Sequence, residues 1–253
     1  SAATGLLGLN LPNKRPGQAE ELLQIAATIV ARGPPVSTSV RLCLHYSLKN
    51  QPATAGSDGL RQFCERAAHL GKGIVDSVLL VSGTGYRKHV HADSARCLES
   101  LREQLLSQLA GSCDNAALRA QLPVPLGVAF NPYEPEQTTE RVRLQRKLTT
   151  GLVSSVWLQI GTDLAALRDG LEFLRGLTIF QVSRVRTYGS IFLPSQSLLA
   201  QMRQRPWAGV QLCNEFLASV EGATTVTHEV LKIYEEFDVT TLVESKVENL
   251  EQL

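Results

Sequence analysis

Five short polar clusters in this chain carry residue types that bind or transform small molecules, and each follows an apolar run. They are His45 and Tyr46, Ser82 to Gly85, Asn131 to Glu134, Gln159 to Thr162, and Tyr188 to Ser190. A histidine ring donates or accepts a hydrogen bond near neutral pH. Amides and carboxylates orient the edge of a ligand, and a Gly-Thr-Gly turn lets a phosphate approach bare backbone. A basic run, Arg141, Arg143, Arg146 and Lys147, offers cations for a phosphate, with Arg146 and Lys147 expected one turn beyond the Asn131 loop.

Each cluster also has a plain structural reading. Gly83-Thr84-Gly85 lacks the third glycine of a dinucleotide fingerprint, Lys88 standing in that place, so a strand-ending turn accounts for it. His89 and His91 alternate without a Cys or acidic partner at ligand spacing, which favours a solvated loop; no metal is expected. His45 stands open between a hydrogen-bonded structural role and a ligand contact. The basic run, with Leu144 and Leu148 as its buried stripe, reads as a solvated helix face or as a phosphate grip. Asp163 reads as a helix cap and Asp169 as a surface residue. The nucleophile elbow GxSxG, the zinc motif HExxH and the phosphate loop GxxxxGK[ST] are all missing from the sequence.

The elements that must position these clusters alternate. Leu6 to Leu11 reads as a short strand and Gln18 to Ala31 as a helix, with apolar residues at Leu22, Leu23, Ile25, Ala26, Ile29 and Val30. Ser39–Tyr46 and Val75–Gly83 read as strands, with helices over Gly59–Leu70 and Ser94–Ala110. The segment Pro125–Asp163 reads as strand, polar loop, basic helix and strand. A helix over Leu164–Leu174, a strand over Thr178–Arg186, a helix near Gln196–Gln204, a helix in THEVLKIYEEF and a strand in VTTLV complete the chain. Gln51–Asp58 and Gly111–Pro123 read as loops.

Some seven or eight such alternations demand a mainly parallel sheet with helical crossovers. The strands are continuous apolar runs, as expected where both faces of a sheet are covered. The expected fold class is therefore α/β, a single (β/α)8-type TIM barrel over residues 1–253, with an open doubly wound sheet as the alternative. In a parallel barrel the five polar clusters, all at strand carboxyl ends, lie on one rim.

Bulk properties narrow the function classes. The 253 residues are enough for one barrel, and a formal net charge of +1 gives no overall field toward nucleic acid or an anionic membrane. Basic residues are balanced by acids and lack interleaved aromatics, so nucleic acid is not an expected partner. No apolar run reaches the ~20 residues of a membrane span. Cys43, Cys64, Cys97, Cys113 and Cys213 are scattered with no CxxC, which favours core packing and an intracellular, reducing compartment, cytosol or organelle matrix.

On these residues the chain resembles the methylenetetrahydrofolate reductase family, flavin-dependent α/β barrels of one-carbon metabolism. VAFNPYEPEQTTERVRLQRKLTTGLVSSVWLQIG is similar to that family's strand, YPE-x-HPEA loop, L-K-R-K-x-x-A-G-A helix and TQ-ended strand. VDSVLLVSGTG is similar to its I-x-x-I-x-A-L-R-G-D strand, RLCLHYS to its PHLTC strand, and RTYGSIFLPSQSLLAQM to its IPGIFP segment and following helix. The resemblance covers about two thirds of the chain, from Val40 to Met202. It implies FAD as cofactor, held by His45, Ser82, Gly83, Thr84, Asn131, Glu134, Glu140, Arg146 and Lys147. It implies NAD(P)H as electron donor, and a folate-type substrate oriented by Gln159.

The departures from the family bear on turnover. LGLNLPNK places Asn10 where the family's FEFFPP motif carries a proton-donating glutamate, and an amide cannot act as a general acid at neutral pH. Thr84 replaces an aspartate beside the flavin and Ser82 an arginine. The stretch between Ala31 and Ser39 is short, so one βα unit is expected to be missing or remodelled. Two functional expectations follow. One is an FAD-dependent NAD(P)H oxidoreductase of this type. The other is an inactive barrel serving as a binding or assembly module, a homo-oligomer or complex subunit, with an apolar patch around Phe192, Pro206 and Trp207.

Overall fold

The computed structural model describes residues 8–32, 41–70, 74–82, 93–109 and 114–244. Seven strands in these residues form one sheet in the order in which the chain visits them, β1 to β7. The paired strands run parallel. A doubly wound sheet reverses its strand order at a switch point, whereas sequential order is the winding of a barrel. The fold is thus α/β with barrel-type winding and one strand fewer than eight. The described sheet is open, with β1 and β7 as its edge strands.

The chain groups into two compact units, Ser1–Val128 with Arg146–Ser154, and Ala129–Gln145 with Ser155–Leu253. The first holds β1 (Gly8–Leu11), α1 (Gln18–Arg32), β2 (Arg41–Ser47), α2 (Gly56–Ala68), β3 (Val75–Val81), α3 (Ser94–Gln108), α4 (Asn115–Ala120) and the start of β4 (Leu126–Phe130). β1 pairs directly with β2, so no strand intervenes where a βα unit looked short. The sheet row Leu42, Leu44, Val78, Leu80, Leu126 and Val128 is wholly buried. Leu60, Phe63, Cys64 and Ala67 form the buried stripe of α2 at helical spacing. Phe63 meets Tyr46 with ring centroids 5.1 Å apart. Gly59 makes that approach possible, because a Cβ there would sit 2.7 Å from the Tyr46 hydroxyl. Cys43, Cys64 and Cys97 are buried core fillers, as their scatter suggested.

The second unit holds the end of β4, the start of α5 (Gln137–Thr149), most of β5 (Val153–Leu158), α6 (Leu164–Gly176), α7 (Thr178–Val182), β6 (Arg186–Phe192), α8 (Gln196–Gln204), α9 (Asn214–Ala218), α10 (Val220–Glu236) and β7 (Val239–Glu244). The strand expected over Thr178–Arg186 is instead the short helix α7, followed by β6. TIFQV has the β-branched and aromatic residues of a strand, but Leu177 leads it straight out of α6 and local N–H groups bond back to Leu177 and Ile179. Gly111–Pro123, expected as loop, contains α4, capped by Asp114 through Ala116 N–H. The last helix begins at Val220, a full turn and more before the THEVLKIYEEF segment, with Ser219 as its cap.

A second core forms around Phe192, Leu199, Met202, Phe216 and Val226. Phe192 is therefore buried and does not join an exposed patch; Trp207 packs edge-on against it at 5.4 Å and is itself half exposed. The Tyr234 hydroxyl of α10 donates to the Ser190 carbonyl at 3.2 Å, and its ring occupies the space a side chain at Gly189 would need. Gly189→Ala is expected to cost about 1–3 kcal/mol by overpacking this contact. Urea unfolding of the full chain measures it, and a cost under about 0.5 kcal/mol would show that the ring gives way freely.

Candidate functional site

In the first unit the structure joins two residues that the sequence singled out separately. Register sets Asn10 beside Cys43, so His45, two residues further along β2, projects on the same face. His45 Nε2 lies 2.7 Å from Asn10 Oδ1. An amide oxygen only accepts, so Nε2 carries the proton and Nδ1 is left with the lone pair. Burial pushes the His45 imidazole down to about 4, and the charge of Lys14 adds to the shift. At neutral pH the pair is an uncharged hydrogen-bonding unit that holds no acidic proton.

In the same unit, Asn50 Nδ2 donates to both the backbone carbonyl and Oδ1 of Asn13, each at 3.1 Å. The carbonyl identifies the Asn50 group as the amine, which in turn fixes the orientation of Asn13. Asn13 Nδ2 is then a buried donor without a partner. Ser82 Oγ accepts from Ser94 N–H at 3.1 Å and donates to Ser94 Oγ at 3.0 Å, a capping role at the start of α3. Gly83, Thr84, Gly85, His89 and His91 lie outside the described residues.

Arg146 and Lys147 sit in the last turn of α5, not one turn beyond the loop that precedes it. The nine helical steps from Gln137 to Arg146 rise about 13.5 Å. Arg146 Nε and Nη2 grip the Glu99 carboxylate at 3.0 and 2.9 Å, with Asp93 at 3.7 Å. Lys147 is buried and engaged within the protein.

In the second unit the loop after β4 is tied by its own side chains. Asn131 Oδ1 accepts from Tyr133 N–H at 3.0 Å, and Asn131 Nδ2 donates to Glu134 at 3.1 Å. Glu140 accepts from Asn131 N–H at 3.1 Å. Gln137 Nε2 then donates to the carbonyls of Asn131, Pro132 and Glu134 at 3.3, 2.7 and 2.8 Å. This glutamine was not singled out in the sequence. Its only signal is an amide opening a helix after a Pro-punctuated loop, which matches no motif. The Tyr133 hydroxyl donates to the Gly161 carbonyl at 3.1 Å, joining this loop to the end of β5, and burial raises its pKa.

Gln159 follows β5, its N–H donating to the Phe130 carbonyl at 2.8 Å. Among the described residues its side-chain amide has no hydrogen-bond partner. Nε2 lies against Gly209, whose φ of +82° and missing side chain admit it; a Cβ there would sit 2.9 Å away. Trp157, two residues earlier and so on the same face, stacks on Tyr188 with centroids 4.3 Å apart and planes 19° from parallel. The indole N–H is taken by Ser155 Oγ at 3.0 Å. Tyr188, Gly189 and Ser190, expected beyond a strand end, lie within β6, because that strand starts at Arg186. Asp163 caps α6 as expected, accepting from Ala166 N–H at 3.0 Å.

The residues assigned to FAD fall into both units: His45, Ser82, Arg146 and Lys147 in the first, Asn131, Glu134 and Glu140 in the second. Each already has a partner within the protein. As they stand, Arg146 and Lys147 offer no unengaged cation to a diphosphate. Among the described residues no group of three or more His, Cys, Asp or Glu is placed to hold a metal ion. No helix among them is long and apolar enough to cross a membrane.

No family model matches the chain, so membership in the methylenetetrahydrofolate reductase family is not shown. No curated protein matches it either. Among solved structures, the chain is similar to an uncharacterized protein from Clostridium thermocellum that binds two copies of 5-methyl-5,6,7,8-tetrahydrofolic acid. That match has a TM-score of 0.44 at 13% identity, over 97% of this chain and 89% of that one. It is also similar to 2,3-dimethylmalate lyase, of the PEP mutase/isocitrate lyase superfamily, with a TM-score of 0.44 at 11% identity over 87% and 65%. A third is QR15, an aldolase, with a TM-score of 0.40 at 11% identity over 90% and 99%. At these scores the likenesses assign neither chemistry nor substrate, and the fold class rests on the strand order.

The depressed His45 pKa has a consequence for stability. The unfolded chain takes up a proton near 6.5 while the folded His45 resists until about 4, so below 6.5 the unfolded state binds more protons. The His45 contribution is complete above pH 6.5 and is lost as pH falls toward 4. His45→Gln is expected to flatten the stability slope across this window, read from urea midpoints at a series of pH values; an unchanged slope would show that His45 titrates normally.

Proposed function

We propose that this chain binds a flat, amide-rich heterocycle of the folate type at the carboxyl end of β5, beside the Tyr188 segment of β6, with Gln159 pairing the edge of the ring. The observation that carries this reading is the Gln159 side-chain amide. Among the described residues it has no hydrogen-bond partner, while the polar groups of the loop after β4 are almost all bonded to one another. A primary amide presents a donor and an acceptor side by side, the pattern that matches the amide edge of a pterin. The stacked rings of Trp157 and Tyr188 lie on the same face and supply a flat apolar support. The family resemblance assigns the same glutamine to folate.

FAD, with NAD(P)H as its electron donor, is a dependent proposal. It requires Arg146 to leave Glu99 or another cation to serve the diphosphate. A bound flavin would supply hydride transfer. The chain's own residues contribute binding and orientation, since the Asn10–His45 pair holds no acid to protonate a substrate. That pair favours the second reading, a binding or assembly module that holds its ligand without turnover.

Titration of 5-methyltetrahydrofolate against the protein, followed by Trp157 fluorescence in a Trp207→Phe background, tests the first reading. Saturable quenching is expected, with Gln159→Ala weakening binding about tenfold, equivalent to about 1.4 kcal/mol. Absence of saturable quenching, or equal affinity in the alanine variant, would overturn it. In parallel, a flavin absorbance spectrum retained by the purified protein would support the cofactor proposal, and protein that takes up no added FAD would remove it.

A further inference from the structure

The second unit contains a cleft of about 600 Å³ that the folate-type reading does not use. That volume falls within the ~300–1,000 Å³ of small-molecule sites. Its wall is mixed, with an apolar part: Met202 and Val226 belong to the core of this unit, and Leu212 and Leu217 pack against it. Its lining includes two exposed carboxylates, Asp163 and Glu215, and no Lys or Arg among the described residues.

Most other polar groups at the cleft are committed. Thr162 accepts from Cys213 N–H at 2.7 Å and donates its own N–H to the Gln211 carbonyl at 2.9 Å. Arg203, on the same helix as Met202, spends its guanidinium on the carbonyls of Leu217 and Ala218 at the end of α9. Asp163 uses one oxygen to cap α6. Among the described residues neither Asp163 nor Glu215 has an ion-pair partner. A pocket with an apolar wall segment beside unmatched negative charge is complementary to one class of ligand.

We propose that this cleft binds a small organic cation, an apolar ring or chain bearing an amine. The apolar body lies on Met202, Leu212, Leu217 and Val226, and the ammonium faces Glu215 and Asp163. The proposal stands independently of Gln159, because its probes contain no folate.

Benzylamine, benzyl alcohol and benzoate share one ring and differ in charge, so their binding to the full chain, followed by calorimetry and by NMR shifts of Leu212 and Val226, tests it. Saturable binding of benzylamine is expected, about tenfold tighter than the alcohol, with no saturable binding of benzoate. Glu215→Gln, on an exposed side chain, and Asp163→Asn, which keeps the helix cap, should each weaken benzylamine several-fold and leave the alcohol unchanged. Val210→Trp, filling the cleft, should abolish binding of both. Benzoate binding as tightly as benzylamine, no saturable binding of the amine, or charge variants without effect would each overturn the proposal.

Discussion

Burial of both faces of a parallel sheet is the constraint on which the rest of this protein depends. Parallel strands cannot be joined by tight turns, so each must be followed by a crossover, and the crossover helix covers one face. The wholly buried row Leu42, Leu44, Val78, Leu80, Leu126 and Val128 is the consequence in the first unit. With that row spent on packing, the alternate positions of β2, Cys43 and His45, face the other way. Asn10 and His45 lie on that other face of the first unit's strands, where each satisfies the other.

Within this frame, hydrogen-bond satisfaction separates residues that hold the structure together from those available to a ligand. Asn131, Glu134, Gln137 and Glu140 close a loop upon itself, and Arg146 clamps Glu99 across two helices of its unit. These groups have the chemical character of ligand contacts but are occupied. The Gln159 amide and the Asp163 and Glu215 carboxylates have the same chemical character without full partners among the described residues. Availability is a property of partners and distances.

The legibility of the fold in the sequence followed the strength of the local signal. Alternation of apolar runs with helical stripes predicted the winding, and the caps at Asp163 and the stripe of Leu144 and Leu148 stand as read. TIFQV misled because its β-branched and aromatic composition suits a strand, while its position directly behind α6 lets the chain continue in helical turns. That error displaced Tyr188, Gly189 and Ser190 from mid-strand to a strand end. Gln137 was missed because a glutamine whose amide bonds three carbonyls has no signature in spacing.

The class of architecture follows from the residues alone, since periodic hydrophobicity dictates which faces are buried and parallel strands dictate the crossovers. That Asn10 cannot donate a proton follows from them too, because that is a property of the amide. It took the folded chain to show that Asn10 binds His45, that Arg146 is spent on Glu99 and that Gln159 has no side-chain partner among the described residues. Those outcomes depend on contacts between residues 35 and 47 positions apart or on a contact's absence, and such contacts arise from register and packing that local sequence does not encode.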